Sequence, residues 1–240
     1  GTMTHAAEVR FARHYGNGMV LQREKPALVR GLAEAGAKVT VSFHPRRGSG
    51  LERQSKQSTA DDKGSWSVSL DPMPASIKGG VLVAASGRRT AKLNDVVVGD
   101  VFLFARQTAI DVSLGRDEAG KQLASRTATQ PRLRVLMIKT IPSCEPQQDL
   151  AKDACGSWSI VDRDVAREMS AAAYHVAQGL TKKTDAPVGI IDLNMGYHFP
   201  IAWLSKDALL ETTKIYGEKE TRVNTMMKMM ESARAAFEDP

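Results

Sequence analysis

The 240-residue sequence predicts an α/β fold joined to an all-β unit, with a β-sandwich over residues 8–95 and a parallel-sheet domain over residues 96–240. Three observations carry this expectation. Up to about Leu93, apolar residues alternate with small or polar ones in short runs separated by Gly, Pro and Asp clusters. After Asp95 the period gives way to continuous apolar runs, as in strands covered on both faces. Between two such runs lies a segment of helical apolar spacing, and strand, helix, strand implies a parallel sheet.

Residues 39–43 and 66–70 show the strict alternation of half-buried strands. Asp61, Asp62, Lys63 and Gly64 precede Trp66 as a tight turn, with Gly64 taking the positive φ that closes such a hairpin. Pro72, Pro74, Gly79 and Gly80 punctuate the chain before a further strand at 81–85. In the second half, 96–104 and 133–138 read as covered strands. Asp162 or Asp164 caps one helix through Val165, Met169, Ala172, Ala173, Val176 and Leu180, ending near Lys182 and Lys183, whose charge suits a helix C-terminus. Pro187 resets the chain into a strand at 188–193.

At 42% hydrophobic and 25% charged residues the chain is globular, and its length suits two modest cores. No run approaches the roughly 18 apolar residues of a spanning helix, so no membrane partner is expected. The polar, patternless residues 1–7 read as a cloning remnant or the stub of a removed leader, the latter fitting an exported protein. Residues 1–95 hold 15 Lys plus Arg against 8 Asp plus Glu, and the remainder 18 against 19, so the whole net +6 lies in the first unit. Arg46, Arg47, Arg53 and Lys56 cluster there around Gly48 and Gly50; a solvated hairpin is the plain reading and an anionic-glycan patch the sharper one. No aromatic residue interleaves with them, which argues against nucleic acid.

Cys144 and Cys155 bracket a polar loop. Two cysteines without a nearby histidine make a poor zinc site, and neither metal nor cofactor is expected. A local disulfide, requiring an oxidising compartment, is favoured over two free thiols. At the C-terminus, Val223, Met226, Met230, Ala233 and Phe237 fall at helical spacing, widened by Met227 and Met229. Such a face packs on the sheet, or offers a Met-rich surface to a protein partner or a second copy of the chain.

Several motifs in order resemble one family. Gly18-Met19-Val20-Leu21-Gln22-Arg23, followed by Pro26 and Val29-Arg30-Gly31, is similar to HMVLQR with a following P and WG; residues 59–68 are similar to TADADGKWSV. Residues 99–110 resemble GDVWLCSGQSNM, Pro187-Val188-Gly189-Ile190-Ile191 the strand that follows in the family, and Ile201-Ala202-Trp203 the segment IEAW. These are motifs of the sialate O-acetylesterase family of SGNH-type hydrolases. The resemblance implies a β-sandwich preceding a flavodoxin-like SGNH-hydrolase-type α/β domain.

It also implies a serine ester hydrolase, and there the chain departs. Thr108 stands at the serine position, with Arg106 and Gln107 before it. Gly196, Tyr197 and His198 stand where the family has the GGT turn; Gly196 keeps a possible oxyanion donor. The family's Asp-x-x-His block is absent from these 240 residues, which end before the region that would bring it. Tyr216-Gly217-Glu218 resembles the family's YQGESN loop only faintly, at the wrong place. A threonine is a crowded secondary alcohol and a poor nucleophile without a base. His198 is the only base that can be paired with it, since both would lie at the C-terminal edge of the sheet. His14, His44 and His175 read as ordinary histidines. The expectation is an exported, secreted or periplasmic protein, catalytically inactive, acting as a carbohydrate-binding or interaction module. The alternative is an active carbohydrate O-acetylesterase using Thr108, or the front part of a longer protein whose remainder supplies the base.

Overall fold

The computed structural model describes residues 8–107, 112–141 and 147–195, with Ala208 and Glu211. In chain order these hold β1 (Arg10–Phe11), β2 (Val20–Gln22), β3 (Ala27–Leu32), β4 (Lys38–Pro45), β5 (Gln54–Thr59), β6 (Ser65–Leu70), β7 (Ser76–Ser86) and β8 (Arg89–Gln107). There follow α1 (Glu118–Ser125), β9 (Gln130–Ile138), β10 (Ser159–Val161), α2 (Arg163–Glu168), α3 (Ala171–Thr181) and β11 (Val188–Met195). The architecture is mixed α/β, built on an eight-stranded mixed sheet in the order β10-β9-β11-β8-β7-β4-β5, with β2 also paired to β8. A separate antiparallel sheet runs β1-β3-β6.

The alternation read in the first half is the alternation of burial. Val39, Val41 and Phe43 of β4 and Trp66, Val68 and Leu70 of β6 face one shared core with Val29 and Leu82. Each such side chain contributes about 1.5–3 kcal/mol by leaving water. The hairpin before Trp66 forms as expected: Gly64 has φ +79, and Asp61 Oδ1 accepts the amides of Lys63 (2.9 Å) and Ser65 (2.8 Å). Tyr15 and Phe11 pack beside Trp66, with the Phe11 and Trp66 rings edge to face at 5.8 Å.

β8 joins the two halves. Its first part pairs antiparallel with β7, and from Asp100 to Gln107 it pairs parallel with β11. The expected boundary between residues 95 and 96 falls inside this one strand. At the changeover, Asp95 takes φ +56 and the β7–β8 register shifts nearby. Arg134 of β9, only 3% exposed, donates to Gly18 O and Asp95 O, both at 2.7 Å, and pairs with Asp95 Oδ2 at 2.9 Å. Gly99 is obligatory beside it: a Cβ there would sit 2.0 Å from Pro187 O.

The residues of the GMVLQR segment meet β8 at this junction. Arg23 N–H donates to Gly99 O (2.8 Å), the Arg23 guanidinium pairs with Asp100 at 2.9 Å, and the Val101 amide donates to Gln22 Oε1 at 2.9 Å. Beyond Val101 no strand lies on this edge of β8 among the described residues. Phe102 is accordingly 40% and Leu103 60% exposed, which corrects the expectation that residues 96–104 are covered throughout; the buried part is Val96, Val97, Val98 and Gly99.

A second correction concerns the helix. Asp162 caps it, accepting the amides of Asp164 (3.0 Å) and Val165 (2.9 Å), but the helix breaks after Glu168. Met169 takes ψ 151, and Ser170 starts α3 by accepting the Ala173 amide. Ser170 is held away from helical geometry by a bridge to Ser113 and by its amide donating to buried Asp192. Ala166, Met169, Ala173, Tyr174 and Ala177 then cover Leu133 and Val135 of β9 and Val188 and Ile190 of β11, forming a second core. Val176, assigned to the buried stripe, is 46% exposed because the break turns α3 relative to the continuous helix.

Candidate functional site

In a parallel sheet, strand ends and the loops after them gather at one edge, and sites collect there. β8, β11 and β9 bring their C-terminal ends to that edge: Gln107 is the register partner of Met195, and Leu193 that of both Ala105 and Ile138. Thr108 and Gly196 each come one residue after the paired Gln107 and Met195. Thr108, Gly196, Tyr197 and His198 themselves lie outside the described residues, as do Tyr216, Glu218 and the Met-rich segment. Arg106 and Gln107 are placed as the last two residues of β8.

The chain from Val112 onward is anchored at once. Ala171 N–H donates to Val112 O and Leu114 N–H to Met169 O, each at 2.8 Å. The anchor therefore runs from Val112 to the break between α2 and α3, and through the Ser170 amide (3.3 Å) to Asp192, 1% exposed on β11. Asp192 was not singled out by sequence reasoning. Its signal was a lone acid inside the apolar run of residues 188–193, a placement that requires partners because a buried carboxylate without them is costly.

A cleft of about 370 Å³ opens beside the ends of β9 and β11, lined by Ile138, Lys139, Ile141, Leu150, Ala154 and Leu193 among others. Its wall is the segment of residues 147–150, fastened by Asp149. The Asp149 carboxylate accepts the amides of Arg13 (2.8 Å) and Leu150 (2.9 Å) and pairs with the guanidinium groups of Arg10 and Arg13. Burial pushes this carboxyl up, but those donors outweigh it and hold it below the ordinary carboxylate value.

Cys155 is a free thiol in the structure, and Cys144, its expected disulfide partner, lies outside the described residues. Cys155 is instead bridged through its backbone to Ile138, and burial, reinforced by the Asp149 charge, raises its pKa. The basic cluster is partly neutralised: Arg46 lies 3.8 Å from Asp95 and Lys56 2.8 Å from Asp71. His44 lies in β4 and His175 on the exposed side of α3. Among the described residues no group of three His, Cys, Asp or Glu is placed to hold a metal, and no helix is long and apolar enough to cross a membrane.

The comparisons with known proteins converge. The sialate O-acetylesterase of Mus musculus is 27% identical over 225 residues, covering 89% of this chain and 40% of that protein. Its Homo sapiens counterpart is 28% identical over 213 residues, 83% of this chain and 39% of that protein. A crystal structure of a carbohydrate acetylesterase from Xanthomonas citri superposes with a TM-score of 0.72 at 28% identity, over 85% of this chain and 43% of the other. The chain is a relative of the sialate O-acetylesterases. It spans about two fifths of the length of those curated relatives. No protein-family model matches it. Within this relationship the GMVLQR residues have a structural use: Gln22 and Arg23 hold β8 where the strand enters the parallel sheet.

Proposed function

We propose that the chain is a sialate O-acetylesterase-like protein that has kept the carbohydrate-esterase scaffold and does not hydrolyse esters, serving as a carbohydrate-binding or interaction module. The observation that carries the reading is Thr108, one residue past β8, where the resemblance puts a nucleophilic serine. An activated serine needs a base within hydrogen-bond reach and open space for the acyl group. Threonine adds a methyl at that point, and Tyr197 and His198 replace two small residues of the GGT turn. The two-unit organisation, a β-sandwich over 8–95 and a flavodoxin-like domain over 96–240, belongs to the same proposal. It is supported by the core shared between the two antiparallel groups and by the parallel run of β9, β11 and β8. Export rests on the resemblance and on the pair Cys144 and Cys155.

Glycan-array binding tests the module reading. Binding by the parent that persists in Thr108→Ala supports a module. Binding that is lost together with measurable acetate release supports a working esterase instead.

A further inference from the structure

The segment of residues 147–150 has two sides. One faces the cleft at the strand ends; the other faces a second cleft of about 550 Å³ on the outer surface of the β1-β3-β6 sheet. Gln147, Asp149 and Leu150 line both, so the two clefts are neighbours across a single stretch of chain. The polar groups of the second cleft come from elements far apart in sequence: His14 after β1, Arg30 on β3, Ser65 on β6 and Gln148.

Their bonding states differ in a telling way. Asp149 is saturated by Arg10, Arg13 and Leu150 and serves the wall. Ser65 donates to Gln148 Oε1 at 3.0 Å, which leaves the Gln148 Nε2 donors for another acceptor. Arg30, on the outward face of β3, bonds to the Tyr15 hydroxyl and pairs with no carboxylate among the described residues. Arg10 and Arg13 already match the Asp149 charge, so the guanidinium of Arg30 is an added positive charge at the cleft. Burial lowers the pKa of His14, and the Arg30 charge lowers it further against the opposing Asp149, so a neutral imidazole with one donor and one acceptor faces the cleft.

We infer that this cleft is an accessory saccharide site for a carboxylated sugar unit, with its carboxylate on Arg30 and its hydroxyls on Gln148, Ser65 and His14. Arginine suits the first task because its planar fork matches a carboxylate. Hydroxyls, which both donate and accept, suit mixed amide, hydroxyl and imidazole partners. The inference rests on the glycan-binding reading above and adds the place and the charge class. It gives the basic excess of the first unit a use, away from the hairpin of Arg46 and Arg47.

The test is saturation-transfer NMR on the full chain with methyl glucuronide, its neutral counterpart methyl glucoside, and N-acetylneuraminic acid. The two acidic sugars are expected to bind, with the glucuronide at least tenfold tighter than the glucoside. Arg30→Ala removes that preference, Gln148→Ala weakens both classes, and the exposed Arg46→Ala changes neither. Acidic-sugar binding indifferent to both Arg30→Ala and Gln148→Ala overturns the site and leaves the glycan-binding reading standing. No binding of any sugar overturns both. Unchanged circular dichroism of the variants separates loss of binding from loss of folding.

Discussion

Replacing Arg134 by methionine removes the donor that ties β9 to Gly18 and Asp95 while keeping most of the buried volume. Two carbonyl oxygens, Gly18 O and Asp95 O, lose a charged partner at 2.7 Å. A buried acceptor left without its partner costs about 1–3 kcal/mol. The Asp95 carboxylate, 37% exposed, remains hydrated, so its part is under about 1 kcal/mol. These parts sum to about 2–7 kcal/mol, and because both carbonyls are only part-buried and regain water the expected loss is about 3–4 kcal/mol, in the lower half of that range. At about 2–4 °C per kcal/mol for a chain of this size, Tm falls by about 10 °C. Asp95→Asn is the companion variant: asparagine tolerates the left-handed φ, the carbonyl bonds stay, and the loss is under about 1 kcal/mol. Differential scanning calorimetry and urea unfolding read both. A fall of less than about 3 °C for Arg134→Met, or an equal fall for the two variants, would refute the assignment of the junction's stability to the carbonyl bonds.

Gly99→Ala sets a methyl against Pro187 O and forces β8 and β11 apart; a loss of more than about 2 kcal/mol is expected in urea melts, and a neutral outcome would remove the close-approach argument. Asp149, held below the ordinary carboxylate value, contributes stability that is fully present above the unfolded pKa of about 4 and is lost as pH falls through the depressed folded value. The parent should therefore lose more stability than Asp149→Asn between pH 6 and pH 2.5, and parallel pH profiles would contradict the linkage. With two cysteines in the chain and Cys155 free, titration of denatured, unreduced monomer should find two thiols, and native Cys155 should alkylate slowly because its pKa is raised. Finding none would restore the disulfide.

What the sequence made legible was whatever local chemistry decides. The alternation around Val39 and Trp66, the positive φ of Gly64 and the cap at Asp162 need only near neighbours, and each is present in the structure. β5, Gln54 to Thr59, contains no apolar residue and was invisible to a hydrophobic pattern; it exists because β4 offers a paired edge. α1 was missed because Gly120 interrupts its first turn, although Asp117 caps it by accepting the Gly120 amide at 2.7 Å. The break at Ser170 depends on Ser113 and Asp192, both distant in sequence, so spacing alone predicted one helix. At the candidate site the sequence named Thr108 and Gly196, and the structure adds that the strands preceding them, β8 and β11, end in register. The Asp149 clamp and the Arg30 cleft arise only when β1, β3 and the 147–150 segment meet, and no motif announces them.

The central claim is that the scaffold persists without ester hydrolysis. Acetate release from an O-acetylated sialic acid, measured for the parent, Thr108→Ser and Thr108→Ala, tests it most directly. The account predicts no release above the uncatalysed background from the parent, and no more from the alanine variant. Turnover by the parent that disappears in Thr108→Ala would contradict it, and would make Thr108 the nucleophile of a working esterase.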